Sequence, residues 1–169
     1  MEAFKVIFSR RSIRRYKDES ISNETIVNII KAAMQAPSAR NLKPWQFIAI
    51  NKKEIMKDLA NIHPNGKMLV EAAFAILVCG DKNIDDTESY LIQNCAAATQ
   101  NMLLASYDLG IGSVWLGVHP RKERMEGIKQ YFNLPQNIIP ISLISFGIPD
   151  ETKYPEDRYD STKIRFNQW

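Results

Sequence analysis

The sequence predicts an α+β fold in which helices and strands interleave without simple βαβ winding. Three observations carry this. Several stretches repeat apolar residues at helical spacing, short continuous apolar runs bounded by turn residues lie between them, and the connections vary greatly in length. At 169 residues the chain has room for one domain with a core that needs no staples, so residues 1–169 are read as one domain. With 45% hydrophobic and 24% charged residues, the balance is that of an ordinary soluble globular protein.

Ala3 to Ser9 opens as a short helix that stops at a cluster of arginines. Ser22 is a suitable N-cap and Glu24 suits the first turn of the next helix. There Ile26, Ile29, Ile30 and Ala33 recur at helical spacing until Pro37 ends the run. Trp45 to Ile50 reads as a strand, and Glu54 to Ala60 as a small helix with Ile55, Met56 and Leu59 on one side. Phe74 to Cys79 is a continuous apolar run closed by Gly80 and Asp81, which predicts a strand buried on both faces. The longest helix is expected from about Glu88 to Asp108, ending at Gly110, a good C′ residue. Its middle, Cys95-Ala96-Ala97-Ala98-Thr99, is small on every side and can pack closely on a sheet or on a second copy of itself. Ser113 to Val118 is a third strand, Glu123 to Phe132 an amphipathic helix, and Ile141 to Phe146 a fourth strand. Beyond Pro149 the pattern loses all period through to Trp169, although Tyr154, Tyr159, Phe166 and Trp169 supply aromatic anchors. Such a stretch gains order by wrapping a partner rather than by folding on its own chain.

Charge narrows the partners. A net charge of +3 is too mild to imply a polyanion, but four arginines crowd between Arg10 and Arg15, and Lys163 and Arg165 sit near the other end. Two short basic clusters suit a small phosphate better than a nucleic-acid backbone, and the aromatics do not interleave with them as a stacking platform requires. Cys79 and Cys95 lie in apolar runs without metal or disulfide spacing, which fits a reducing compartment. Basic residues interrupt every apolar stretch near the N-terminus, and no run approaches the roughly 20 residues that span a bilayer. A cytoplasmic protein without membrane or nucleic-acid partners is expected.

Three segments could carry chemistry. Ser9-Arg10-Arg11-Ser12-Ile13-Arg14-Arg15-Tyr16 combines arginine forks and a hydroxyl that match phosphate oxygens, and Ile13 and Tyr16 interrupt what would otherwise be a solvated charge run. Ala36-Pro37-Ser38-Ala39-Arg40-Asn41-Leu42-Lys43-Pro44-Trp45 is an irregular helix-to-strand loop whose small residues leave backbone groups accessible. Gly110-Ile111-Gly112-Ser113-Val114-Trp115-Leu116-Gly117 is glycine-rich, but Trp115 replaces the third glycine of a dinucleotide fingerprint, and the segment runs from helix to strand. Rossmann binding of NAD is rejected on those grounds. No Walker-type motif, zinc spacing or nucleophile elbow occurs, and both histidines, His63 and His119, stand beside prolines in expected loops. No side chain is therefore assigned a catalytic role, and an enzyme built this way takes its reactivity from a bound cofactor.

In that order, these segments resemble the FMN-dependent nitroreductase family over essentially the whole chain. Arg10-Arg11-Ser12-Ile13-Arg14 resembles the family's Arg-x-Ser-x-Arg signature. The resemblance implies that Arg10 and Ser12, with Arg11 beside them, hold the FMN phosphate while Arg14 meets the pyrimidine edge of the flavin. Pro37-Ser38-Ala39-x-Asn41-x-x-Pro44-Trp45 is similar to a second signature, which implies that Pro37, Ser38, Ala39 and Asn41 reach the flavin of the other subunit. Gly112 to Gly117 looks like the strand whose backbone, at Trp115, Leu116 and Gly117, lies against the reactive ring. Lys163-Ile164-Arg165 resembles the C-terminal basic pair that closes over the phosphate. Arg40 and Lys43 depart from the family, standing where many relatives have a small residue and a glutamine. The Pro64-Asn65-Gly66 region stands in for the longer substrate lid of larger relatives. The implied fold is a three-layer α/β/α sandwich with a mixed, mainly antiparallel sheet and a C-terminal arm exchanged in a homodimer. The implied activity is ping-pong transfer of hydride from NADH or NADPH, through FMN, to nitroaromatics, quinones or similar small electrophilic acceptors. A flavin-binding redox sensor without rapid turnover is the alternative.

Overall fold

A computed structural model describes residues 2–169. Its elements run α1 (Ala3–Ser9), α2 (Asn23–Met34), β1 (Trp45–Ile50), α3 (Lys53–Ile62), β2 (Phe74–Asp81), α4 (Glu88–Asp108), β3 (Gly112–Gly117), α5 (Lys122–Phe132) and β4 (Ile138–Gly147). Short 3-10 turns occur at Ala39–Asn41, Lys67–Val70 and Ser161–Lys163.

The four strands form one sheet in the order β1-β2-β4-β3, and every neighbouring pair is antiparallel. A parallel component is confined to an isolated bridge between Ser12 and Ser113. β2 is buried on both faces, as its unbroken apolar run predicts. Phe74, Ile76 and Val78 join α2 and α4 residues such as Ile29, Leu91, Ala98 and Met102 in one cluster. The alternate residues Ala75, Leu77 and Cys79 join Met56 and Leu59 of α3 and Ile128 of α5 in the other. The period of two along a strand thus builds two cores and three layers. Phe74 pairs with Phe146 across the β2–β4 ladder, and their rings stack at 4.6 Å.

Local signals set the helix ends. Ser22 caps α2, its side chain accepting from the Thr25 N–H at 3.2 Å. Gly110 takes φ +74° just past the end of α4, the left-handed C′ conformation that glycine adopts without strain. The missing side chain of Gly80 in β2 lets α4 lie close on the sheet: a Cβ there would stand 2.1 Å from Leu91 of α4. Cys79 and Cys95 are buried free thiols pushed up to about 12 by desolvation, so they behave as small apolar groups.

β4 is longer than the expected Ile141 to Phe146 because it continues through Pro140. Val78 faces Ser142 while Cys79 faces Pro140, so Ile141 is an extra residue in a bulge. Proline cannot donate to the ladder, and a bulge accommodates it inside a central strand.

The segment after α1 runs along the β3 end of this sheet. The Ile13 N–H donates to Ser113 O at 3.0 Å and the Lys17 N–H to Ile148 O at 2.9 Å. Ile13 and Tyr16 are buried beneath it. Two glycines make the approach possible: a Cβ at Gly112 would lie 2.8 Å from Ile13 Cγ2, and one at Gly147 would lie 2.7 Å from Tyr16 Cγ. Gly147→Ala is therefore expected to destabilise the fold by about 1–3 kcal/mol, as overpacking does, with Tyr16 displaced from its seat. Equilibrium denaturation checks this; an unchanged midpoint would refute the tight seat.

Candidate functional site

With Ile13 and Tyr16 turned inward, the polar residues between and before them face out. The Tyr16 hydroxyl donates to Ile13 O at 2.7 Å and, having one proton, accepts from Ser145 Oγ at 2.8 Å. This pins the backbone that carries the arginines.

Arg10, Arg11, Ser12 and Arg14 line one open pocket of about 380 Å³ together with Lys153, Tyr154, Glu156 and Arg158. Lys153 Nζ donates to Ser12 O at 3.0 Å, and Arg11 Nη2 donates to Glu156 O at 3.1 Å. The arm after β4 thus forms one wall. Arg10 Nη1 and Arg11 Nε are buried and have no hydrogen-bond partner among the described residues. Desolvation, and then the charges of Arg11 and Arg158, lower the Arg10 pKa. Such a cluster has surplus donors and surplus positive charge, which is what a phosphate dianion would satisfy.

Arg14 also lines a second open pocket, of about 570 Å³, with His63, Pro64, Asn65, Lys67, Met68, Trp115, Leu116 and Gly117. Among the described residues, no carboxylate lines it. His63 is buried, and its Nε2 lies 3.0 Å from Gly117 O, which also accepts from Arg124 Nη1 at 2.7 Å. A strongly basic pocket and a larger pocket walled by an edge strand therefore meet at one arginine.

Comparison with known proteins decides what this arrangement belongs to. The Nitroreductase family matches residues 7–63 and 63–148. A protein of Archaeoglobus fulgidus, named as a candidate NADH dehydrogenase/NAD(P)H nitroreductase, is 44% identical over 99% of this chain and 99% of its own. The chain belongs to the nitroreductase family. A solved structure from Bacteroides thetaiotaomicron, also described as a candidate NADH dehydrogenase/NAD(P)H nitroreductase, superposes with a TM-score of 0.94 at 38% identity, covering 99% of this chain and 98% of that one. A candidate nitroreductase from Desulfovibrio desulfuricans, solved in complex with FMN, superposes with a TM-score of 0.87 at 30% identity over 100% of this chain and 98% of that one. The three-layer α+β arrangement described above is thus the nitroreductase fold.

Within that fold the single chain gathers Arg10, Arg11, Ser12 and Arg14 in one pocket and sets Trp115, Leu116 and Gly117 beside Arg14. It does not bring the other expected residues there. Pro37, Ser38, Ala39 and Asn41 lie in the loop before β1, where the Ala39 N–H donates to Asn94 Oδ1 at 2.9 Å. Lys163 and Arg165 lie on the exposed arm, Lys163 paired with Asp160 at 3.4 Å and Arg165 over the Trp169 ring at 5.5 Å. Arg40 and Lys43 take left-handed φ values of 54° and 53°. Arg40 pairs with the buried Asp85 at 2.8 Å, and the Lys43 N–H donates to Ser38 Oγ at 3.0 Å, so both departures help to shape their own loop.

Sequence reasoning missed Lys153, Arg158, Lys67 and Arg124, and it set His63 aside as a loop histidine. The Pro64-Asn65-Gly66 turn was the available signal for this wall of the pocket. His63 also makes stability depend on pH, because burial, partly offset by its bond to Gly117, holds its pKa below the usual histidine value. In the unfolded chain the imidazole takes up a proton near the ordinary pKa of about 6.5, whereas the folded one resists it. The unfolded state therefore binds more protons as pH falls through that value, and stability is lost there and kept above it. Thermal midpoints between pH 8 and 5 should fall less steeply for His63→Gln than for the wild type; parallel curves would refute the assignment.

Proposed function

We propose that this chain is an FMN-dependent oxidoreductase that takes hydride from NADH or NADPH and delivers it to small electrophilic acceptors such as nitroaromatics and quinones. The observation that carries the reading is the half-buried Arg10–Arg11 pair, with two buried nitrogens lacking partners among the described residues and Arg158 close enough to lower the Arg10 pKa. The similar FMN complex supplies the identity of the phosphate ligand that would fit there.

Arg10, Arg11 and Ser12 would hold the phosphate, with Arg158 and Lys153 closing the same pocket from the arm. Arg14, at the junction of the two pockets, would meet the pyrimidine edge and stabilise negative charge that develops there on reduction. Trp115, Leu116 and Gly117 would present a strand edge to the ring. Bound FMN supplies reversible hydride chemistry, which donor and acceptor use in turn in ping-pong order. No side chain of this pocket is assigned as a general acid.

The test is the absorption spectrum of the purified protein, before and after anaerobic addition of each nucleotide. A flavin band that bleaches rapidly is expected, and Arg10→Ala should weaken FMN by about one to two powers of ten while affecting riboflavin far less. A colourless protein that ignores added FMN would overturn the reading, and a flavin band that NADH and NADPH leave unbleached would favour the redox sensor.

The active form is proposed to be a homodimer, in which Pro37, Ser38, Ala39 and Asn41 of one protomer and the arm residues Lys163 and Arg165 complete the sites. Supporting this, Phe4 and Phe8 of α1 and Tyr154, Tyr159, Phe166 and Trp169 of the arm are strongly exposed. Sedimentation at micromolar concentration is expected to show a dimer; a folded, FMN-loaded monomer would overturn the shared site.

A further inference from the structure

We propose that His63 is a positioning residue that ties the two walls of the Arg14–Gly117 pocket together, with Arg124 as the second fastening, and so fixes the slot in which the flavin ring would lie. This rests on the function proposed above. One wall is the turn from His63 to Met68, and the other is the outer end of β3 at Trp115, Leu116 and Gly117. The sheet does not join them, because β3 pairs in the sheet with β4 alone. The imidazole does.

Its protonation state follows from its neighbours. The Asn65 N–H points at Nδ1 from 3.2 Å, so Nδ1 must be the acceptor. The single proton of the neutral ring then sits on Nε2, which donates to Gly117 O at 3.0 Å. With the proton on Nδ1 instead, two donors would face each other at Asn65 and two acceptors at Gly117. A second proton would set an N–H against the Asn65 N–H and a positive charge beside Arg124, whose Nη1 lies 3.5 Å from Nε2. The neutral Nε2–H form satisfies both the Asn65 and the Gly117 contacts, with the Arg124 guanidinium directed at the same Gly117 carbonyl from 2.7 Å rather than at Nε2, and a residue exposed by only 1% cannot leave either nitrogen unpaired cheaply.

Gly117 explains why its wall needs fastening. A Cβ there would meet nothing within 4 Å, so packing within this chain does not demand a glycine. The bare backbone leaves room for a planar ligand, and a glycine at the end of an edge strand is the residue with most conformational freedom to lose. Two donors on its carbonyl, one of them a guanidinium, hold that peptide in one orientation.

Side-chain replacement separates the two halves of the imidazole. In His63→Asn the amide oxygen can stand in for Nδ1 and keep the local bond to Asn65, while the reach to Gly117 is lost. In His63→Gln the amide nitrogen can stand in for Nε2 and keep the tie. FMN and riboflavin dissociation constants are measured by quenching of flavin fluorescence, alongside thermal unfolding without flavin. His63→Asn is expected to weaken both flavins by about tenfold and His63→Gln by no more than about threefold, as loss or retention of one hydrogen bond implies. Arg124→Ala should weaken both flavins in the same direction, and it carries the test if His63→Asn does not fold. Equal affinities for the Asn and Gln variants, or losses confined to FMN, would overturn the tie. A wild-type protein that takes up neither flavin would overturn the proposed function, and the tie with it.

Discussion

The functional surface depends on the seating of Ile13 and Tyr16 against the β3 end of the sheet. Gly112 and Gly147 supply the space, the Ile13 N–H bonds Ser113, and the Tyr16 hydroxyl joins Ile13 O to Ser145. The chain-N-terminal half of the pocket hangs from this short segment: Arg10, Arg11, Ser12 and Arg14 precede or alternate with the two anchors, while Lys153 and Arg158 approach from the arm. A segment carrying so much positive charge would not stay at the surface in one conformation through its own interactions. The two apolar anchors give it the order that the arginines oppose.

That opposition has a direction. Arg10 and Arg11 are held close to one another and to Arg158, and Arg10 Nη1 and Arg11 Nε are buried without a partner among the described residues. Buried donors left unpaired cost free energy that the core must offset. An incoming phosphate removes the unpaired donors and the mutual repulsion together, so the arrangement favours an anion before any base or ring is read. Discrimination is then left to the second pocket, where Arg14, Asn65 and the β3 edge offer directional contacts to a planar group. In the proposed function, the recognition of charge and the recognition of shape would be divided between two adjoining spaces.

How much of this the sequence reveals varies with the physical signal. β2 announces itself because a strand flanked by helices on both faces must be apolar at every position from Phe74 to Cys79. The end of α4 is legible because Gly110 solves a local backbone problem. The first part of β4 is hidden because Pro140 argues against a central strand, and only the cross-strand register reveals the bulge that absorbs it. His63 is hidden more deeply: its bond to Gly117 joins residues 54 positions apart in the chain, and no periodicity encodes such a contact. The arginine cluster lies between these cases. Its residue types identify the chemistry, but its burial and its neighbours Lys153 and Arg158 emerge only when the arm folds back over it.

The exposed apolar residues bear on the same cluster. Ile7 and Phe8 of α1, Gln100 of α4 and the arm from Pro155 to Tyr159 line one open cavity that also includes Arg10 and Arg11. Single exposed apolar side chains are ordinary, but this concentration beside a charge cluster is not. In the proposed dimer, a partner covering those side chains would take the guanidinium groups further out of water, and burying unpaired charge is expensive. The same covering would strengthen their attraction to a bound phosphate, because electrostatic interactions grow as water is excluded. Apolar burial and anion binding then favour each other: the cover is cheapest when the phosphate is present, and the phosphate is held best when the cover is in place. Reciprocity of this kind is required of any two linked binding equilibria. It gives a physical reason for α1, the arginine cluster and the arm to lie against one another.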